Sequence, residues 1–225
     1  MLFLSVHERR PLLCLPGGDC GRGVQGMERR TIDHGFGPFI QPDSRILILG
    51  SFPSVKSREA SFFYGHPQNR FWKVLEIVYG DRISCGEGAP REIRASGGIV
   101  EGSSAAGISM NPEAEAEEFR GEIRAKSAFL ERHQIALYDV VERCSIEGSS
   151  DSSIRDVEPA DIVAILRKAP IRRIFVNGKT AQKYYDRYLL PRCGREAVCL
   201  PSTSPANAAW SLERLVGAWR VIAEL

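Results

Sequence analysis

The chain has 225 residues, 43% of them hydrophobic and 26% charged, which predicts one ordinary globular domain with a substantial core. No uninterrupted apolar run reaches the ~18–20 residues that a membrane span requires. The net charge of +2 permits nucleic-acid binding without demanding it.

The start, MLFLSVHERRPLLCLPGG, has apolar pieces too short for a signal peptide, since His7, Glu8, Arg9 and Arg10 split them. A cytoplasmic protein is the expectation. Residues 1–37 are rich in Gly, Arg and Pro and read as a flexible arm, with Met27 as an alternative start. A catalytic domain is expected over 38–225. The six cysteines include no C-x-x-C pair, so spacing supports no zinc or iron–sulfur site and predicts reduced thiols.

From Pro38 onward, runs compatible with buried strands alternate with helical spacing. Residues 45–50 form a first strand ended by Gly50, and 70–79 a helix with Phe71, Val74, Leu75 and Val78 on one face. A Gly/Ser/Ala-rich and then acidic stretch at about 84–116 reads as a surface insertion. A helix follows from near Glu117 to His133, then a strand over 135–140 and a polar loop over 141–153. Pro159 is placed in the first turn of a helix reaching Lys168. A third strand covers 171–177, a helix runs from Gly178 through Tyr188, a short strand spans 197–200, and a last helix opens at Ala208. This alternation predicts a three-layer α/β/α fold around a central, mostly parallel four-stranded sheet. In such sheets ligands bind beyond the carboxyl ends of the strands, where the polar loops 51–69, 141–153 and 201–207 emerge.

The first of these loops carries Ser51, Phe52, Ser54, Lys56, Ser57, Arg58, Tyr64, His66 and Asn69. Its aromatics suit either core packing or the stacking of a planar ligand. Lys56 and Arg58 suit phosphate contact or a solvated surface. The Asn69 amide both donates and accepts, so it fits a lactam edge, an attacking water or a plain helix cap. His66 beside Pro67 is a base or a structural hydrogen-bonder. Ser202, Thr203 and Ser204 lie between two prolines ahead of a helix, a place that welcomes phosphate, and Asn207 reads first as an N-cap. Asp139, at the end of a buried strand, and Glu142 are possible acids. There is no Ser-His-Asp order, Walker loop or G-x-G-x-x-G.

Five stretches together resemble the uracil-DNA glycosylase superfamily, and within it the deoxyinosine (hypoxanthine-DNA) glycosylases. They are LILGSFPS (47–54), YGHPQNRFW (64–72), IEGSSDSSI (146–154), IRRIFVNGK (171–179) and LPSTSPANAAWSLERL (200–215). The resemblance implies a monofunctional DNA glycosylase that flips out a deaminated base and hydrolyses its glycosidic bond. No metal or cofactor is implied. The partner is DNA carrying a deaminated base, and a monomer is expected. Mismatch-specific uracil glycosylases carry a catalytic Asn two positions after the first-motif Gly, where this chain has Phe52. The catalytic amide is expected at Asn69 instead. Gly50, Ser51, Phe52, Pro53, Tyr64 and His66 are expected around the base, with Tyr64 stacking on it. Ser54, Lys56, Ser57, Ser202, Thr203, Ser204 and Asn207 are expected on the DNA backbone. The alternatives are a mismatch-specific uracil glycosylase and a DNA-binding module without catalysis.

Overall fold

The computed structural model describes residues 30–84, 112–147 and 153–224. The first 29 residues with Met27, most of the 84–116 insertion, the Ser-rich stretch 148–152, and Cys14, Cys20 and Cys85 lie outside the described residues.

Four strands form one parallel sheet: β2 (Ile46–Gly50), β3 (Ile135–Asp139), β6 (Arg173–Asn177) and β7 (Val198–Leu200), in the order β3-β2-β6-β7. All five residues of β2 and of β3 are buried, as expected for strands covered on both faces. Register sets the next level of structure. Gly50 pairs with Asp139, Leu49 with Val176, and Asn177 with Leu200, so four strand ends share one edge. Helices complete the three layers. They are α1 (Val55–Glu59), α2 (Phe71–Tyr79), α3 (Pro112–Arg132), α4 (Ile162–Lys168), α5 (Lys179–Tyr184), α6 (Leu190–Cys193) and α7 (Leu212–Trp219).

α2 buries Phe71, Trp72, Val74 and Leu75 and stops at Gly80, whose left-handed φ of 63° ends the helix. Phe71 meets Trp219 of α7 edge to face at 5.7 Å, and both rings are fully buried. A wide π turn over Tyr185–Leu189 joins α5 to α6, so the expected single helix has three parts.

Some expectations need correction. Residues 30–37 belong to the fold rather than to an arm. Strand β1 (Arg30–Asp33) pairs antiparallel with β4 (Val141–Ile146), which in turn pairs with β5 (Arg155–Pro159). Much of the expected polar loop 141–153 is therefore strand. Helix α3 starts five residues before Glu117, with a proline in its first turn. Pro159 ends an edge strand, where its missing N–H costs nothing, and Asp161 caps α4 through a 3.0 Å bond from the Ala164 N–H. Asn207 caps no helix. Ser211 takes that role by accepting from Arg214, while the Asn207 amide donates to the Ser202 carbonyl at 2.8 Å.

The small antiparallel sheet anchors His34, which is fully buried among Phe36, Phe52, Phe63 and Tyr138. A chain beginning at residue 38 loses β1 and this packing, a change worth about 3 kcal/mol. Its melting temperature should fall by roughly 6–12 °C relative to the full chain. Equal melting in a calorimeter would place 30–37 outside the cooperative fold.

Candidate active site

A cleft of about 960 Å³ opens over the shared strand edge. Its lining includes Gly50, Ser51, Phe52 and Pro53 from the first loop, Tyr64 and Asn69 from the second motif, Asp139 and Asn177 from strand ends, and Ser202, Ser204, Asn207 and Trp210 from the last loop. Three sequence-distant loops thus converge as expected.

Tyr64 stands on Phe71, with ring centroids 3.8 Å apart and planes inclined by 19°. Its backbone is held at φ +52°, a left-handed conformation uncommon for a non-glycine residue. The hydroxyl is buried near Asn177 and Asp139 but makes no hydrogen bond of ordinary geometry. Burial, helped by the nearby Asp139 carboxylate, pushes its pKa far above the usual tyrosine range. Tyr64 therefore enters the site as a neutral aromatic wall.

Asn69 precedes α2, and its Oδ1 is occupied twice. It accepts from the Phe71 N–H at 3.0 Å and from the Thr203 hydroxyl at 2.9 Å. Thr203 Oγ1 in turn accepts from Asn177 Nδ2 at 2.9 Å, and Asn177 Oδ1 accepts from the Thr203 N–H at 3.0 Å. These directions fix the Asn69 amide: with oxygen toward the protein, its Nδ2 takes no partner among the described residues and remains available at the cleft. The cap and the functional readings of Asn69 are therefore compatible. The oxygen caps, and the nitrogen is left as a donor.

Arg70, adjacent to it, holds the last loop in place. Its guanidinium donates to the carbonyls of Thr203, Ser204, Asn207 and Trp210, and its backbone N–H also reaches the Thr203 carbonyl. Five planar N–H donors match such a carbonyl array, which an ammonium group cannot reproduce. Gly178 allows the close approach of this loop to β6. With φ at +98°, its absent Cβ would lie 2.8 Å from Ser202 Cβ.

The remaining expected residues divide by location. Ser54 and Ser57 are bonded to each other at 3.0 Å. Ser54 also caps α1, and Ser57, nearly buried, accepts from the Gly65 N–H. Their hydroxyls are used inside the protein. Thr203 is fully buried, so its hydroxyl positions Asn69 instead of meeting DNA. Lys56 is exposed and paired with Glu59 away from the cleft lining. His66 also lies outside the lining and accepts from the Gln68 N–H in its own turn. Arg58 donates to the Pro53 carbonyl at 2.6 Å and lies over the Phe52 ring, so it braces the first loop. Arg70, Asn177 and His34 were missed. The strand-ending Asn before Gly178 was a usable signal for Asn177, but nothing local marks the others.

The profile of the Uracil DNA glycosylase superfamily matches residues 38–224. The chain belongs to this superfamily. It is 30% identical over 184 residues to the hypoxanthine DNA glycosylase of Methanosarcina acetivorans, covering 81% of this chain and 93% of that protein. It is 29% identical over 174 residues to the hypoxanthine DNA glycosylase of Methanosarcina barkeri, with 77% and 87% covered. The solution NMR structure of a Methanosarcina acetivorans protein provisionally named a uracil DNA glycosylase superimposes with a TM-score of 0.56 at 27% identity. That match covers 86% of this chain and 99% of the other. No group of three or more His, Cys, Asp or Glu with metal-binding geometry occurs among the described residues.

Arg70→Lys keeps the charge and loses the fork, so stability should fall by about 2–3 kcal/mol. Limited proteolysis should then cut within 201–210. Unchanged melting and an unchanged cleavage map would remove Arg70 from this role.

Proposed function

We propose that this protein is a monofunctional DNA glycosylase that excises hypoxanthine from deoxyinosine and leaves an abasic site. The observation that carries the reading is the Asn69 amide, with its oxygen held by Phe71 and Thr203 and its nitrogen left at a cleft walled by Tyr64. The names of the two Methanosarcina relatives support the choice of base.

The chemistry fits the geometry. A base stacked in a duplex is out of reach, so it is rotated into the cleft at a cost of a few kcal/mol, least for a poorly paired lesion. Breaking the glycosidic bond leaves negative charge on the departing base and oxocarbenium character on the sugar. A fixed amide donor serves the base oxygen, where charge grows, because it need not reorient during the reaction. Water is the nucleophile; confinement beside the sugar supplies its advantage. Tyr64 offers a flat surface for the flipped base. Gly50 to Pro53 bound the pocket, and Phe52, at the position where uracil-excising relatives carry their amide, supplies only apolar surface. Ser202, Ser204 and Asn207, at the cleft rim, are the DNA-backbone contacts in this reading. The enzyme acts as a monomer in the cytoplasm.

Asn69→Ala should slow hypoxanthine release by roughly 10²–10³-fold while duplex affinity stays within a few-fold. Thr203→Val, which frees the Asn69 oxygen without touching the amide, should show a smaller loss. The assay is alkali-induced scission of an inosine-containing oligonucleotide under single-turnover conditions. Near-wild-type release by Asn69→Ala would sink the assignment. Release of uracil and not hypoxanthine by the wild type would favour the mismatch-specific alternative, and binding without any release the non-catalytic one.

A further inference from the structure

Asp139 is the one carboxylate among the cleft-lining residues, and its two oxygens have different surroundings. Its side chain is only 7% exposed. Oδ2 accepts from His34 Nε2 at 2.8 Å, and His34 is itself completely buried. Oδ1 has no hydrogen-bond partner among the described residues. It lies over the Cα of Gly50, 2.1 Å from where a Cβ would stand, with the Tyr64 hydroxyl 3.3 Å from the same point. Only glycine leaves room for the carboxylate there. The arrangement thus reserves space for an acceptor at the cleft floor beside the aromatic wall.

A buried carboxylate oxygen without a partner is costly unless something fills its hydrogen bond, and a ligand donor is the natural candidate. We infer that Asp139 reads deamination itself, accepting the ring N–H of the lactam through Oδ1 while His34 holds the carboxylate in position. The inference rests on the glycosylase reading above and adds the specificity device to it. Deamination converts the ring nitrogen beside the exocyclic group from an acceptor to a donor: N1 in adenine becomes N1–H in hypoxanthine. The corresponding nitrogen of cytosine becomes N3–H in uracil. An ionised carboxylate only accepts. It welcomes the deaminated form and sets lone pair against lone pair for the parent base. Asn69 Nδ2 donates and Asp139 Oδ1 accepts, which matches the adjacent carbonyl and N–H of a lactam. Sites built around a substrate N–H discriminate strongly against analogues that lack it, because their own polar group is then left unpaired.

The test is a cycle of two proteins and two bases, wild type and Asp139→Ala against hypoxanthine and 1-methylhypoxanthine in the same duplex. The wild type should release hypoxanthine at least about 10²–10³-fold faster than the methylated base. Asp139→Ala should lose most of its rate on hypoxanthine and little on 1-methylhypoxanthine, collapsing the ratio. Asp139→Asn, nearly isosteric, provides a second variant in case the alanine chain folds poorly. Affinity for a duplex carrying a tetrahydrofuran abasic analogue reports folding and DNA binding, and should not change. A ratio that survives both substitutions overturns the inference, as does an equal loss on both bases. His34→Leu in the same cycle should lower the ratio without moving tetrahydrofuran-duplex affinity; an unchanged ratio overturns its positioning role. If the wild type releases uracil and not hypoxanthine, the substrate reading fails by itself, and the cycle with 3-methyluracil decides on Asp139 separately. If neither base is released, both readings fall.

Discussion

The joint between Asn69-Arg70 and the loop 203–210 is the constraint on which the cleft depends. Arg70 gathers four carbonyls of that loop with one guanidinium, and Asn69 beside it is held by a hydroxyl from the same loop. Two neighbouring side chains thus do complementary work, one shaping the far wall and one presenting chemistry within it. The loop has no regular ladder to satisfy its backbone, so its carbonyls need partners from elsewhere. A planar cation with five donors answers several of them at once. Phe71, the next residue, locks this joint to the core through Tyr64 on one side and Trp219 on the other.

The chain Asn177–Thr203–Asn69 extends the same logic to polarity. An amide in solution offers both a donor and an acceptor. Here the acceptor is used up by a helix N–H and a threonine hydroxyl, so the group can present only hydrogens to a ligand. The sequence could say that an amide stood at this point but not which end of it faced outward. That information lies in residues 134 positions away.

The parallel sheet was legible because its strands are apolar on both faces, and such runs stand out between polar turns. The first loop, the second motif and the last loop were likewise visible as polar clusters at strand ends. The antiparallel sheet was not legible. β1 and β5 bury almost nothing, and β4 breaks the alternation with two exposed residues after Val141, so no period of two could be read. His34 lay hidden for the same reason, as a single histidine among glycines whose aromatic box comes from four other places in the chain. Loop serines were read as DNA contacts because a hydroxyl looks alike whether it meets a phosphate or a neighbouring N–H; burial separates the two, and burial is a property of the whole fold.

The sequence separation of these contacts has a consequence for the birth of the molecule. His34 reaches Asp139 across 105 positions, and Arg70 reaches the Asn207 carbonyl across 137. Contacts so distant along the chain close late, after the loops between them have given up their freedom. The last loop is further tied down by Trp219, whose indole N–H donates to the Pro201 carbonyl at 3.0 Å. A nascent chain still short of α7 can assemble β2 and β3, but not the site above them. Competence therefore arrives in one step near the end of synthesis, and no truncated product can open a glycosidic bond on its own.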